Sequence, residues 1–167
     1  MMKLFKPDEI IERFDKFDIE SYKNKGYNAI LIDVDNTIDI PDSLNPGTKE
    51  AFTFLDNLEK AGFKIIIFSN NTKKRVLRFL DGKNYDYNYW SLKPLPFSYL
   101  KIIKKYNLDK NKTISFGDQL LTDCLGANIC GLHTVYTKQL VEKDIVKTKI
   151  NRKIERFIFK HILHEKV

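Results

Sequence analysis

The run Ile30-Leu31-Ile32 leads directly into Asp33-Val34-Asp35-Asn36-Thr37. A short, unbroken apolar run reads as a strand buried on both faces. Two carboxylates at the end of such a strand need compensation, because ionised groups buried without partners are very costly. A cation supplies it. Strand alternation places Asp33 and Asp35 on one side of an extended chain, and hard oxygen ligands suit Mg²⁺, which takes one or two carboxylates together with water and substrate phosphate. A lone Asp-x-Asp is a weak signal, since turns after strands are rich in Asp and Asn for conformational reasons. What recurs downstream carries the weight.

The same pattern of a buried strand ending in polar residues returns twice. Phe63-Lys64-Ile65-Ile66-Ile67-Phe68 ends in Ser69-Asn70-Asn71, and Thr113-Ile114-Ser115-Phe116 ends in Gly117-Asp118-Gln119-Leu120-Leu121-Thr122-Asp123, with Lys93-Pro94 between them. Further strands are predicted over Tyr85 to Trp90 and His133 to Thr137. Helical periodicity covers Thr48 to Ala61, Thr72 to Leu80, Pro96 to Tyr106, Leu120 to Ile129 and Thr148 to Leu163, and Gly62, Gly82 and Gly131 stand as stops after three of these. Strands alternating with helices predict an α/β, doubly wound, mostly parallel sheet with helices on both faces and a site at the strand C-terminal ends. With no linker, repeat or low-complexity tract, one domain is expected over residues 1–167. Residues 1–28 are read as an N-terminal helical segment and 138–167 as a basic C-terminal helical segment.

A length of 167 residues with 43% hydrophobic and 13% aromatic content supports a core of its own and argues against disorder. No apolar run approaches the ~20 residues needed to span a bilayer, and Met1 to Phe14 lacks a signal-type apolar region, so the expected location is cytoplasmic. Cys124 and Cys130 provide neither a metal quartet nor a disulfide framework and read as small buried residues. The three histidines, at 133, 161 and 164, form no triad or metal pattern. Net charge is +7, and residues 138–167 hold nine Lys or Arg against four acidic residues. There, Ile150, Ile154, Phe157, Ile158 and Ile162 make a helical apolar stripe flanked by Arg152, Lys153, Arg156 and Lys160. Such a flank suits peripheral contact with an anionic membrane, while a helix simply packed on the sheet explains the stripe equally.

Asp33-x-Asp35-x-Thr37, Ser69-Asn70-Asn71, Lys93-Pro94 and Gly117-Asp118 through Asp123 resemble, in order and spacing, the four motifs of the haloacid dehalogenase-like (HAD) phosphatases. Ile38 to Gly47 leaves about ten residues after the first motif, and Ser69 to Lys93 is filled by one helix and one strand, so neither position has room for a cap domain. Together with Lys3-Leu4-Phe5-Lys6-Pro7 and Asn151-Arg152-Lys153-Ile154-Glu155-Arg156, the motifs are most similar to the capless, subfamily III phosphatidylglycerophosphate phosphatases of bacteria and mitochondria.

The resemblance implies a Mg²⁺-dependent phosphatase that works through an aspartyl-phosphate. Asp33 would be the nucleophile. Asp35 would protonate the leaving oxygen, activate water afterwards and offer its backbone carbonyl to the metal. Asp118 would ligate the metal, with Asp123 acting through water or orienting the ligands. Ser69, the backbone N–H of Asn70 and Lys93 would hold the phosphate, and Thr37 and Asn36 would order the loop. The implied substrate is phosphorylated, a phospholipid in the first reading and a soluble metabolite or phosphoprotein in the second.

Plainer roles exist for the same residues. Ser69, Asn70 and Asn71 suit caps for a helix starting near Thr72, although a well-capped helix N-terminus also binds phosphate. A lone Lys93 or Asp123 would normally be a solvated surface charge. A phospho-receiver module is disfavoured because its adjacent acids follow the first strand and its accepting Asp a later one. A nucleic-acid-binding role for the basic tail lacks aromatic–basic interleaving or a recognition helix, so no nucleic-acid partner is expected.

Overall fold

The computed structural model describes residues 2–141 and Ile158. Six parallel strands form one sheet: β1 (Glu9–Ile11), β2 (Ala29–Ile32), β3 (Lys64–Phe68), β4 (Asp86–Asn88), β5 (Thr113–Gly117) and β6 (His133–Thr137), in the spatial order β1-β6-β5-β2-β3-β4. The doubly wound sheet expected from the sequence is therefore present. β2 lies at its centre, with Ile32 level with Ile67 of β3 and Phe116 of β5.

Strand alternation sorts the core into two layers. Ile30, Ile32, Ile65, Ile67, Ile114 and Phe116 face the first, where they meet α1 (Ile19–Asn24), α2 (Lys49–Lys60) and α3 (Lys73–Leu80) through Tyr22, Leu55 and Phe79. Leu31, Ile66 and Phe68 face the second, against Tyr99 and Ile102 of α4 (Pro96–Lys105) and Ala127 and Cys130 of α5 (Leu125–Cys130). Each side chain at a central strand thus has apolar partners, which is why β2 is buried along its whole length.

Local chemistry sets the helix limits. Thr48 caps α2 by accepting from the Ala51 N–H at 3.1 Å, and Thr72 caps α3 by accepting from Arg75 N–H at 3.2 Å. Capping of α3 falls to Thr72, which leaves Ser69, Asn70 and Asn71 for other partners. Gly131 stops α5 with φ at +76°, a conformation that a Cβ disfavours.

Several elements differ from the sequence reading. The N-terminal segment, expected to be helical, contains the edge strand β1, two 3₁₀ turns and a single short helix, α1. The strand expected over 85–90 is trimmed to Asp86–Asn88, and Trp90 just beyond it has a left-handed backbone, φ +47°. The helix expected from Leu120 begins as a π-helical turn, Leu120–Cys124, before becoming α5. The helix predicted over 148–163 lies outside the described residues except for Ile158, which is helical and buried against Leu120, Cys124 and Tyr136. Neither the connection from β2 to α2 nor that from β3 to α4 carries an inserted cap. Among the described residues, no helix is long and apolar enough to cross a membrane.

Candidate active site

Four strand ends converge on one side of the sheet. Asp33 follows β2, Ser69 follows β3, Lys93 lies in the connection after β4, and Asp118 follows β5. Asp33, Asp118 and Asp123 each offer a carboxylate oxygen, all within 4.8 Å of one another, and all three residues are buried. Lys93 bridges two of them, its Nζ lying 2.7 Å from Asp33 Oδ1 and 2.6 Å from Asp123 Oδ1. The Thr37 hydroxyl is 3.3 Å from Asp33 Oδ2 and 3.1 Å from Asp118 Oδ1. Both oxygens of Asp33 therefore have partners, and the plane of its carboxylate is fixed.

The backbone makes this convergence possible. A Cβ on Gly117 would overlap the Asp123 side chain, so only glycine lets that carboxylate fold back over the end of β5. The π-helical turn aims Asp123 inward, where its Oδ2 also accepts from Gln119 N–H at 3.0 Å. π-bulges of this kind commonly sit at functional positions. Lys93 is braced by Asn70, whose side chain donates to Lys93 O at 2.9 Å and accepts from Lys93 N–H at 2.8 Å. From below, Gly126 of α5 packs so closely on the Pro94 carbonyl that a side chain there would displace it.

The electrostatics follow from burial. The Asp33 carboxyl is pushed up to about 8, chiefly by loss of water; Lys93 opposes this rise, and Asp123, Asp118 and Asp35 add to it. Burial alone would favour a neutral Lys93, but Asp123 and Asp33 together outweigh it and hold the ammonium above the ordinary lysine range. Among the described residues, Lys93 is the ammonium bonded to this trio, through Asp33 and Asp123. Three clustered carboxylates form an all-oxygen donor set that fits Mg²⁺, which Asp33, Asp118 and Asp123 would hold. Asp118→Ala is expected to weaken Mg²⁺ binding by at least roughly tenfold in a calorimetric titration, with activity partly restored at high Mg²⁺. Unchanged Mg²⁺ affinity would remove Asp118 from the ligand set.

Asp35 stands apart from this cluster. Its Oδ1 accepts from Arg75 Nε and its Oδ2 from Asn71 Nδ2, each at 2.9 Å. Arg75 also donates to Asp39 Oδ2 at 2.8 Å and to Ile40 O at 3.1 Å, while its buried Nη1 has no hydrogen-bond partner among the described residues. Asp39 is itself 1% exposed, and burial raises its carboxyl above the usual range despite Arg75. Asp35 is thus tied to the start of α3 and, through Arg75, to Asp39 and Ile40 in the connection from β2 to α2. The metal contact expected of Asp35 is through its backbone carbonyl; its carboxylate is held in place by Arg75 and Asn71.

Asn36, with φ at +66°, turns away from the charge cluster. Its side chain accepts from Val141 N–H at 2.9 Å and donates to Val141 O at 3.0 Å and Gln139 Oε1 at 3.3 Å, while its own carbonyl accepts from Leu140 N–H. The loop-ordering role expected for Asn36 takes the form of a staple to residues 139–141.

The model for haloacid dehalogenase-like hydrolases matches residues 6–131, three-quarters of the chain. The chain belongs to this family. The hydrolase is 31% identical over 158 residues to a Bacillus subtilis (strain 168) protein described as "Probable phosphatase YqeG", covering 95% of this chain and 91% of that one. In fold it is similar to an uncharacterized Listeria monocytogenes serotype 4b protein, with a TM-score of 0.55, 17% identity, and coverage of 80% of this chain and 99% of that one. It is also similar to a magnesium-bound structure of YfnB from Bacillus subtilis, with a TM-score of 0.52, 14% identity, and coverage of 72% and 91%.

Within the hydrolase, the sequence-predicted Asp33, Thr37, Lys93, Asp118 and Asp123 come together, with Ser69 and Asn70 at the adjoining strand end. Ser69 is 1% exposed, and its hydroxyl accepts from Asn71 N–H at 3.1 Å. Asn70 engages Lys93 through its side chain, a contact that the sequence reading did not anticipate. Arg75 and Asp39 were missed altogether. His133 lies at the start of β6, the opposite end of the sheet, against Tyr22 and Tyr27; burial lowers its pKa although Asp8 and Glu9 favour the charged form. Cys124 and Cys130 are buried and form no disulfide with each other, as expected. Arg152, Lys153, Arg156 and Lys160 lie outside the described residues.

Proposed function

We propose that this hydrolase is a Mg²⁺-dependent phosphomonoesterase whose substrate is phosphatidylglycerophosphate, which it converts to phosphatidylglycerol. The observation that carries the reading is the buried Asp33–Asp118–Asp123 cluster bridged by Lys93 at the end of an uncapped sheet. The YqeG likeness supports phosphatase chemistry. Lipid specificity rests on the motif resemblance and on connections after β2 and β3 that carry no cap, which leaves room for a phosphate carried on something large.

Such monoesters hydrolyse very slowly unaided, so fixed charge must lower the barrier. An Asp33 oxygen attacks phosphorus, the O–P bond to the alcohol breaks, and Asp35 passes its proton to the leaving oxygen. Water then attacks the aspartyl-phosphate, returning a proton to Asp35, and the bond from Asp33 to phosphorus breaks. Lys93 offsets charge on Asp33 and phosphate, while Ser69 and Asn70 N–H hold phosphoryl oxygens. Bound Mg²⁺ supplies further positive charge for the phosphoryl oxygens and the nucleophile.

Arg75 and Asn71 aim the acid in this scheme, and Arg75→Gln isolates that effect. For an alkyl phosphate, whose leaving group needs the proton, kcat is expected to fall about 10²-fold, within the range of general acid catalysis. An aryl phosphate with an acidic phenol should lose far less. Equal losses on both would assign Arg75 a purely structural role.

The deciding experiment measures kcat/KM by mass spectrometry for phosphatidylglycerophosphate in mixed micelles beside a panel of soluble phosphomonoesters. Preference for a soluble metabolite or a phosphoprotein would overturn the lipid reading and leave phosphatase chemistry in place. The basic flank Arg152, Lys153, Arg156 and Lys160 is proposed to meet an anionic bilayer. Changing all four to Gln should weaken binding to anionic vesicles by up to ~10³ at low salt. Hydrolysis of a small aryl phosphate should stay intact.

A further inference from the structure

The connection from β4 to α4 turns its polar residues inward and its apolar residues outward. Ser91 and Lys93 are 2% and 7% exposed, whereas Trp90 and Leu92, which alternate with them, are 58% and 52% exposed. Both outward residues have left-handed backbone, at φ +47° and +56°, which is disfavoured for bulky side chains. The apolar surface continues through Leu95, Phe97 and Leu100, all exposed. The loop is anchored at the candidate site: Trp90 N–H donates to Asn71 O and Ser91 N–H to Ser69 O, both at 3.0 Å.

Lysine dominates the charge on this face. Tyr89, Trp90, Leu92 and Phe97 line an open cleft of about 680 Å³ together with Lys73, Lys101 and Lys105. Asp86, also in that cleft, is paired with Lys64. Apart from the inward Lys93, residues 89–108 contain three lysines, Lys101, Lys104 and Lys105, all exposed, with no arginine and no acid. Protein interfaces are depleted in Lys and enriched in Arg. Trp, Tyr and Leu rimmed by lysine match instead the boundary of an anionic bilayer.

We propose that this face docks on an anionic lipid bilayer, with Trp90 and Leu92 entering the headgroup layer and Lys73, Lys101 and Lys105 meeting anionic headgroups. The site beside Lys93 then opens toward a lipid phosphate. This extends the lipid-phosphatase reading and rests on it for the nature of the substrate.

Trp90 is the sole tryptophan, so intrinsic fluorescence reports this face alone. The full chain with Mg²⁺ is titrated with phosphatidylglycerol-containing vesicles and, separately, with pure phosphatidylcholine vesicles. A blue shift and quenching by brominated acyl chains are expected with the former and little change with the latter. Leu92→Ser and Phe97→Ser, made separately, should each weaken vesicle partition by about tenfold, through loss of buried apolar surface, without changing hydrolysis of a soluble aryl phosphate. No spectral change with anionic vesicles would overturn the proposal. So would a blue shift that arises on concentrating the protein alone with a doubled mass, which would assign the face to a second copy. Docking without turnover of phosphatidylglycerophosphate would defeat the substrate reading alone; turnover without docking would defeat the docking alone.

Discussion

Asp33→Asn is expected to lower kcat by several orders of magnitude and to raise the melting temperature of the metal-free protein at neutral pH. The first effect follows from covalent chemistry, because an amide of the same volume cannot form the acyl phosphate. The second follows from linkage. In the folded protein Asp33 keeps its proton up to about pH 8, chiefly through burial, whereas its ordinary value is 3.8. Between those values the folded state binds the extra proton, so stability falls as pH rises through the window and the penalty is absent below it. Asn never ionises and escapes this penalty. Since about 1 kcal/mol moves the midpoint of a chain this size by roughly 2–4 °C, a gain of several degrees is expected at pH 8 in EDTA and almost none near pH 4. Mg²⁺ should shrink the gain by stabilising the ionised wild type. A variant that retains more than about a tenth of wild-type kcat would refute the nucleophile assignment.

Lys93→Met should move stability the other way. The ammonium is the positive group placed between Asp33 and Asp123, and its side chain is 3% exposed. Removing one member of a buried ion pair typically costs about 3–5 kcal/mol, because the remaining charges stay buried and unpaired. The metal-free variant should therefore melt roughly 10 °C lower, and Mg²⁺ should restore part of the loss by supplying charge to the same carboxylates. Turnover should fall about 10²- to 10³-fold, the scale for losing one electrostatic contact to a transition state. Thermal melts with Mg²⁺ and with EDTA check the first effect, and single-turnover kinetics check the second. A wild-type melting temperature in EDTA would mean that Lys93 does not compensate the cluster.

The two variants share a neighbourhood and differ in sign, which shows how the site was legible from sequence. Where a buried strand meets carboxylates, the conflict between apolar context and ionised side chain is local, and it marks Asp33 and Asp118 without any knowledge of what they face. Arg75 carries no such mark. It follows Lys73-Lys74, a basic run typical of a solvated helix, and its partners Asp35 and Asp39 lie 40 and 36 residues away. Only the folded chain brings them together. β1 escaped notice because three residues with one buried position carry no periodicity to read. Trp90 shortened β4 through its backbone dihedral, which its aromatic, strand-favouring side chain does not foretell.

Asn36 stands three positions after the proposed nucleophile and is 4% exposed, with its amide spent on Gln139 and Val141. The stretch after β6 is therefore not a detachable tail. A chain cut before Gln139 would leave a buried amide without these partners inside the turn that orients Asp33 and Thr37, and the damage would register at the charge cluster rather than at the chain end. Force or disorder introduced at residues 139–141 is therefore felt directly by the loop that carries Asp33 and Thr37.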